Sequence, residues 1–210
     1  MEDVLSVYER PYDPRRPVVC VDEGGKELRG TPRQTIPAIP GAPARQDYEY
    51  ERHGTCNLFL SVEPLAGKRR VRVTQRRTGV DFAHLLRAVI DEDYPQADQV
   101  VLVCDNLNTH SPACLYEAFA PAEARRIASK IEWHYTPEHG SGLNMAEIEL
   151  SVLSRQCLNR RMLDQDLVAD QAGAWEHERN TGSKAIRWQF KPTDARIKLA
   201  RLYPVITDKI

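Results

Sequence analysis

The chain has 210 residues, 41% hydrophobic and 28% charged, with a formal net charge of −1. That length suits one domain, or one domain with a small appendage, and buries a core without disulfide or metal staples. The near-neutral total excludes a uniformly basic polyanion binder but not a local anionic partner.

The opening segment, MEDVLSVYERPYDPRRP, carries acids in its first residues and no apolar stretch of signal-peptide length. Residues 1–16 read as an N-terminal tail. The first strand is Pro17-VVCV-Asp22, a continuous β-branched run that ends in an acid. Gly24 to Ala44 is rich in Gly and Pro and reads as a loop. Tyr48 to Val62 alternates enough for two strands about Gly54 or one long bent strand, and Val71-Arg72-Val73 continues the strands after a turn at Gly67. Phe82, Leu85, Leu86, Val89 and Ile90 have helical spacing within Val80 to Asp93. Gln99-VVLVC-Asp105 is a second buried strand that ends in an acid. Short helices are expected over Pro112–Phe119 and Ala122–Ser129, a strand over Ile131–Thr136, and helices over Asn144–Arg161, Asp166–Arg179 and Thr193–Leu202. Strands that come early and paired, then alternate with helices, predict an α/β fold with a mixed sheet and helices on its faces.

Charge is unevenly distributed. Lys68 to Arg77, KRRVRVTQRR, has six basic residues and no acid, the segment from Lys184 to Lys209 is also basic, and every charged residue between Ala88 and Glu123 is acidic. A basic run is either a solvated strand edge or a phosphate-binding patch; Lys68, Arg69, Arg70, Arg76 and Arg77 are the candidate phosphate contacts. The five cysteines form no CxxC pair, and Cys20 and Cys104 lie in apolar runs, so thiolate metal binding is not expected and a reducing, cytoplasmic setting is. No apolar run approaches the ~20 residues of a membrane span, so a soluble protein is expected. Trp133, Trp175 and Trp188 read as packing residues.

Chemistry enters with the two strands that run into Asp22 and Asp105. Functional groups collect at the C-terminal ends of strands in open α/β sheets. Close carboxylates repel one another unless a cation lies between them, and hard oxygen donors suit Mg²⁺ or Mn²⁺. A third carboxylate would come from the helix that follows HGSGLN. At about 100° per residue, Glu147 falls between two apolar flanks (Met145, Ile148 and Val152; Ala146, Leu150, Leu153 and Cys157), whereas Glu149 points about 200° away, beside Gln156 and Arg160. This makes Glu149 a solvated residue and Glu147 a half-buried one in need of a partner: a cation, an arginine or the positive end of the helix. Asn144 reads as the cap of that helix.

The stretches VVCVDE, DNLNTHSPACLYEAF and EWHYTPEHGSGLNMAEIELSVLSRQCLNRR, with WQFKPTDARIKLARLYP, resemble the DDE transposases of the mariner superfamily, in their bacterial insertion-sequence (IS-six-thirty) branch. The resemblance covers residues 17–204, leaving 205–210 as a C-terminal tail, and implies an RNase H-like fold with a mixed five-stranded sheet. It implies that Asp22, Asp105 and Glu147 are catalytic ligands of two Mg²⁺ or Mn²⁺ ions, and that the enzyme cleaves double-stranded DNA at transposon ends and joins it to a target. Asn106, His110, His139 and Asn144 fall beside that site or its DNA. A homodimer and a separate helix-turn-helix subunit are possible partners. The family carries an N-terminal helix-turn-helix region that the few residues before Pro17 cannot hold, so a fragment, a decayed copy or a second reading frame is expected. The alternatives are an inactive remnant that binds DNA or a full-length partner, and a general metal-dependent nuclease. Where the family has tryptophan this chain has Gly142, which predicts a looser loop before Glu147.

Overall fold

The computed structural model describes residues 1–33, 36–45, 47–138, 140–182 and 185–203. Five strands, β1 (Val18–Gly30), β2 (Glu51–Glu63), β3 (Lys68–Thr74), β4 (Val100–Cys104) and β5 (Ile131–Tyr135), form one sheet in the order β3-β2-β1-β4-β5. The pairs β1–β2 and β2–β3 are antiparallel, and β1–β4 and β4–β5 are parallel. This is the mixed five-stranded α/β sheet of the RNase H-like fold.

Among the described residues, seven α-helices pack around the sheet: α1 (Glu2–Tyr8), α2 (Gly79–Ala88), α3 (Ala113–Ala118), α4 (Pro121–Ser129), α5 (Met145–Leu153), α6 (Gln165–Thr181) and α7 (Pro192–Lys198). Alternate strand residues serve the two faces. Cys20, Leu58, Leu60, Val101 and Val103 pack with Val4 of α1, Ala146 of α5 and Val168 of α6. Val19, Val21, Phe59, Leu102 and Cys104 pack with Phe82 of α2, Leu115 of α3 and Ile127 of α4. All five residues of β4 are buried, as a continuous apolar run requires when helices cover both faces. No described helix is long and apolar enough to cross a membrane.

Several expectations are corrected. The loop predicted from Gly24 begins only after Gly30: Gly24 pairs with Leu58 and Gly25 with Asn57, so the two glycines lie in a β1–β2 ribbon that extends beyond Asp22. Cross-strand pairing overrides the glycine turn signal there. Of the two readings for Tyr48–Val62, the single long strand holds: β2 passes Gly54 at φ +91°, a backbone conformation suited to glycine. The expected tail contains α1, whose Val4, Leu5 and Val7 are buried and whose Tyr8 hydroxyl donates to the Leu143 carbonyl at 2.7 Å. α5 ends at Leu153 and widens into a π-helical turn over Ser154–Leu158, where Lys26 Nζ donates to the carbonyls of Leu158 (2.6 Å) and Arg160 (2.9 Å). α7 likewise stops at Lys198, followed by a 3₁₀ turn over Ala200–Leu202.

The edge strand β3 is covered by α6. Asn180 accepts from the Arg69 amide and donates to the Arg69 carbonyl, both at 2.8 Å, and Glu176 accepts from the Val71 amide at 2.7 Å. The three tryptophans pack as expected: Trp175 is buried and donates to Gln156, Trp188 lies 5.4 Å from the Tyr8 ring, and Trp133 stacks on Tyr135.

Of the two glycines in the loop before α5, packing requires Gly140 and not Gly142. A Cβ on Gly140 would lie 2.5 Å from Pro137 Cγ, whereas one on Gly142 meets nothing within 4 Å. Gly140→Ala should therefore cost roughly 1–3 kcal/mol in urea denaturation, and Gly142→Ala should stay within about 0.5 kcal/mol of the parent.

Candidate active site

The parallel register places Cys20 opposite Val103, so two residues later come two aspartates on neighbouring strands, Asp22 within β1 and Asp105 just past the end of β4. Adjacent strands run about 4.8 Å apart. Alternation turns Asp22 to the face beneath α5, as it does Cys20. α5 is capped by Asn144, fully buried, whose Oδ1 accepts from the Ala146 amide at 3.1 Å and whose Nδ2 donates to the Val21 carbonyl at 2.9 Å. The cap expected from the sequence thus also fastens the helix to the residue before Asp22. Glu147 stands in the first turn, half-buried, and its Oε2 is a buried atom without a hydrogen-bond partner among the described residues.

Burial pushes the Asp22 carboxyl up to about 7; the Glu23 amide, which donates to it at 2.9 Å, opposes this, and the charges of Asp105, Glu23 and Glu147 add to it. The three acids drawn from β1, β4 and α5 are therefore within electrostatic reach of one another. Among the described residues no group of three or more His, Cys, Asp or Glu side chains is placed to hold a metal ion. The chemistry of the three acids, though not their placement, suits a hard divalent cation. They offer carboxylate oxygens alone, one of them buried and unpartnered, around a carboxyl whose ionisation its neighbours oppose.

His110 occupies the opposite face of the strand ends. It is buried, its ring lies 4.1 Å from Phe82, its Nδ1 bonds Asp105, and its Nε2 lies 2.9 Å from Glu23 Oε2 in an ionic contact rather than an aligned hydrogen bond. Burial opposes its charge, but Asp105 and Glu23 together raise it to about 9. His110 is thus a fixed cation that orients Asp105 and offsets part of the local negative charge. Glu23 is a residue the sequence reading missed. One place beyond Asp22 on a strand, it must face the other way, toward α2; an acid at a core-facing phase is the signal that identifies it.

The remaining candidates divide. Asn106 is exposed and carries no side-chain bond among the described residues, and His139 lies outside them. Arg69 is no phosphate contact: its side chain is wholly buried and its Nε donates to Glu149 Oε2 at 2.6 Å. Arg70 pairs with Asp93, and Lys68 Nζ donates to the Asp93 carbonyl at 2.9 Å and sits over the Tyr94 ring. Arg76 and Arg77 are exposed beyond the end of β3, with no side-chain partner among the described residues. Thr74 is level with Asn57, and Asn57 with Gly25, so β3 ends on the same side of the sheet as Asp22.

Glu149 also departs from expectation. It is buried, 3% exposed, and Arg179 Nη2 donates to its two oxygens at 2.9 and 3.1 Å, beside the Arg69 bond. The polar stripe read as solvated is covered by α6, which a helical wheel drawn for α5 alone does not contain.

A family model described as "DDE superfamily endonuclease" matches residues 17–168. The chain belongs to that superfamily. The matched span includes all five strands and α5, and so Asp22, Asp105 and Glu147. Among solved structures, the DDE chain is similar in fold to one in the Mos1 strand transfer complex, at TM-score 0.53 and 15% identity over 86% of this chain and 54% of that one. A Mos1 transposase paired-end complex matches at TM-score 0.34 and 13% identity, over 88% and 60% of the two chains, too low to bear on the fold. The chain thus spans about half the length of the Mos1 chain it resembles. No curated protein sequence matches it.

The raised Asp22 carboxyl has a consequence for stability. The folded state holds this proton more tightly than the unfolded chain, so the contribution of Asp22 to stability falls as pH climbs from 3.8 to about 7 and changes no further above. In chelator-treated protein, urea denaturation across this window should show that fall, and Asp22→Asn should flatten it.

Proposed function

We propose that this DDE domain is the catalytic domain of a DNA transposase of the mariner type, which cleaves phosphodiester bonds at transposon ends and transfers the strand to target DNA. What supports the reading is that the charges of Asp105 and Glu147, from β4 and α5, both act on the half-buried Asp22 carboxyl of β1, while Oε2 of Glu147 has no partner among the described residues. In this reading the three carboxylates hold two divalent cations, Mg²⁺ or Mn²⁺. Bound there, such ions activate the attacking oxygen and stabilise the leaving 3′ oxygen of an in-line displacement.

The chain's own residues prepare the site. Asp105 is oriented by His110, which Glu23 holds from behind. Asn144 ties the first turn of α5 to the β1 backbone next to Asp22. Arg76 and Arg77, on the same side of the sheet, meet the phosphate backbone of double-stranded DNA and position it without reading sequence. A helix-turn-helix subunit that reads the transposon ends and a second copy that holds the other end complete the reading.

Nicking of an oligonucleotide with Mg²⁺ tests the ligand assignment. Asp22→Asn, Asp105→Asn and Glu147→Gln should each lower the rate by about 100-fold or more, since each removes charge from the transition-state scaffold. Cleavage that survives Glu147→Gln would remove that residue from the site.

The phosphate contacts have a separate signature. Replacing Arg76 and Arg77 with alanine should leave the fold intact and reduce the slope of log K against log salt for DNA binding by about 2. A slope equal to the parent's assigns the DNA path elsewhere.

A further inference from the structure

Glu149 lies two residues from Glu147 but takes no part in the carboxylate group. Its carboxylate is instead closed between two arginines from elements distant in sequence. Arg69 of β3 donates through Nε at 2.6 Å, and Arg179 of α6 donates through Nη2 at 2.9 and 3.1 Å. Arg69 is further fixed by its Nη1, which donates to the Gly67 carbonyl at 2.7 Å, and by Asn180, which takes up both of its backbone groups. The side chains of Arg69 and Glu149 are 0% and 4% exposed, and Arg179 is 14% exposed. Two cations on one buried anion cost desolvation that an apolar contact of the same size would not, so such a cluster is weak evidence of a purely stabilising role.

What it does supply is direction. α5 carries a second pin, Asn144, whose Nδ2 donates to the Val21 carbonyl. Residues 144 and 149 are separated by about 500° of helical turn, or about 140° around the axis. Hydrogen bonds at two such points add a directional restraint on roll to the apolar packing of Met145, Ala146 and Leu153. Glu147 lies between the pins. At roughly 6 Å from the axis, a roll of about 10° moves its carboxylate by about 1 Å, a displacement that costs on the order of 100-fold in rate when it misplaces a reacting group.

We propose that the Arg69–Glu149–Arg179 clasp is a positioning device for catalysis, which sets the roll of α5 and so aims the Glu147 carboxylate at Asp22. The inference rests on Glu147 as a metal ligand, and the test separates the two. Mn²⁺ is titrated into the full chain and followed by electron paramagnetic resonance, beside melting curves and oligonucleotide nicking. Glu149→Gln alone strands buried arginine charge. The informative variant replaces the cluster with apolar side chains of similar size: Arg69→Met, Glu149→Leu and Arg179→Met together. It should melt within a few degrees of the parent, bind Mn²⁺ at least tenfold more weakly, and lose kcat while KM for DNA is unchanged. Parent-like Mn²⁺ affinity in that folded variant overturns the proposal.

Should the triple variant unfold, Arg179→Gln, which spares the Arg69–Glu149 pair, should bind Mn²⁺ about threefold more weakly, with Arg179→Lys restoring the affinity. A lower melting temperature with unchanged Mn²⁺ affinity makes the clasp structural only and overturns the inference. Glu147→Gln in the same titration examines the underlying assignment. If it binds Mn²⁺ like the parent, the ligand reading fails; if it binds weakly while the clasp variants do not, the clasp alone fails.

Discussion

The parallel pairing of β1 with β4 is the constraint on which the rest of the molecule depends. It sets Cys20 against Val103, and two residues later it brings Asp22 of β1 beside Asp105, the first residue past β4. Two carboxylates a strand apart, with Glu147 above and Glu23 behind, form a concentration of like charge in a half-buried place. The fold relieves it on one face only. There, His110 stands between Glu23 and Asp105, packed on Phe82 and held protonated by both acids. On the α5 face no cation answers the acids: burial, with the charges of Asp105, Glu23 and Glu147 adding to it, raises the Asp22 carboxyl, and Oε2 of Glu147 has no partner among the described residues.

A site that keeps uncompensated charge needs a rigid frame, because the charges themselves push apart. The frame is built by elements that never touch the acids. α6 lies along the free edge of β3, satisfies its outward backbone groups through Glu176 and Asn180, and passes Arg179 to Glu149. α1 closes the other side of α5, where the Tyr8 hydroxyl holds the Leu143 carbonyl. Removing one partner from a buried ionic cluster of this kind costs on the order of 3–5 kcal/mol, so its members are tied to the fold as well as to the aim of Glu147.

The charge blocks of the sequence acquire meaning only in this arrangement. The basic run on β3 and the acidic stretch that follows α2 are mutual partners: Arg70 meets Asp93, and Arg72 meets Glu92 at 2.8 Å. The period of two along the strand sends Arg69 inward with Val71 and Val73. Of the six basic residues in KRRVRVTQRR, Arg76 and Arg77 beyond the strand end stay exposed with no side-chain partner among the described residues, and they emerge on the side of the acids. Basic composition by itself does not distinguish a buried tether, a surface ion pair and a phosphate contact; strand phase and the neighbouring element do.

Local patterns carried much of this protein. Continuous β-branched runs that end in aspartate marked β1 and β4, helical spacing marked α2 and α5, and the wheel of α5 separated Glu147 from Glu149 because a helix fixes the angle between any two of its residues. Asn144 was legible as a cap because its side chain serves an amide two residues away. Tertiary structure decided whatever depends on a distant partner. The glycines after Asp22 became strand because β2 pairs with them, the opening segment became a buried helix, Glu23 found His110, and Glu149 exchanged solvent for two arginines from 80 and 30 residues away. The reason is the reach of each interaction. Periodicity reports which face a residue occupies within its own element, but whether that face meets water, a core or an opposite charge is set by the element packed against it.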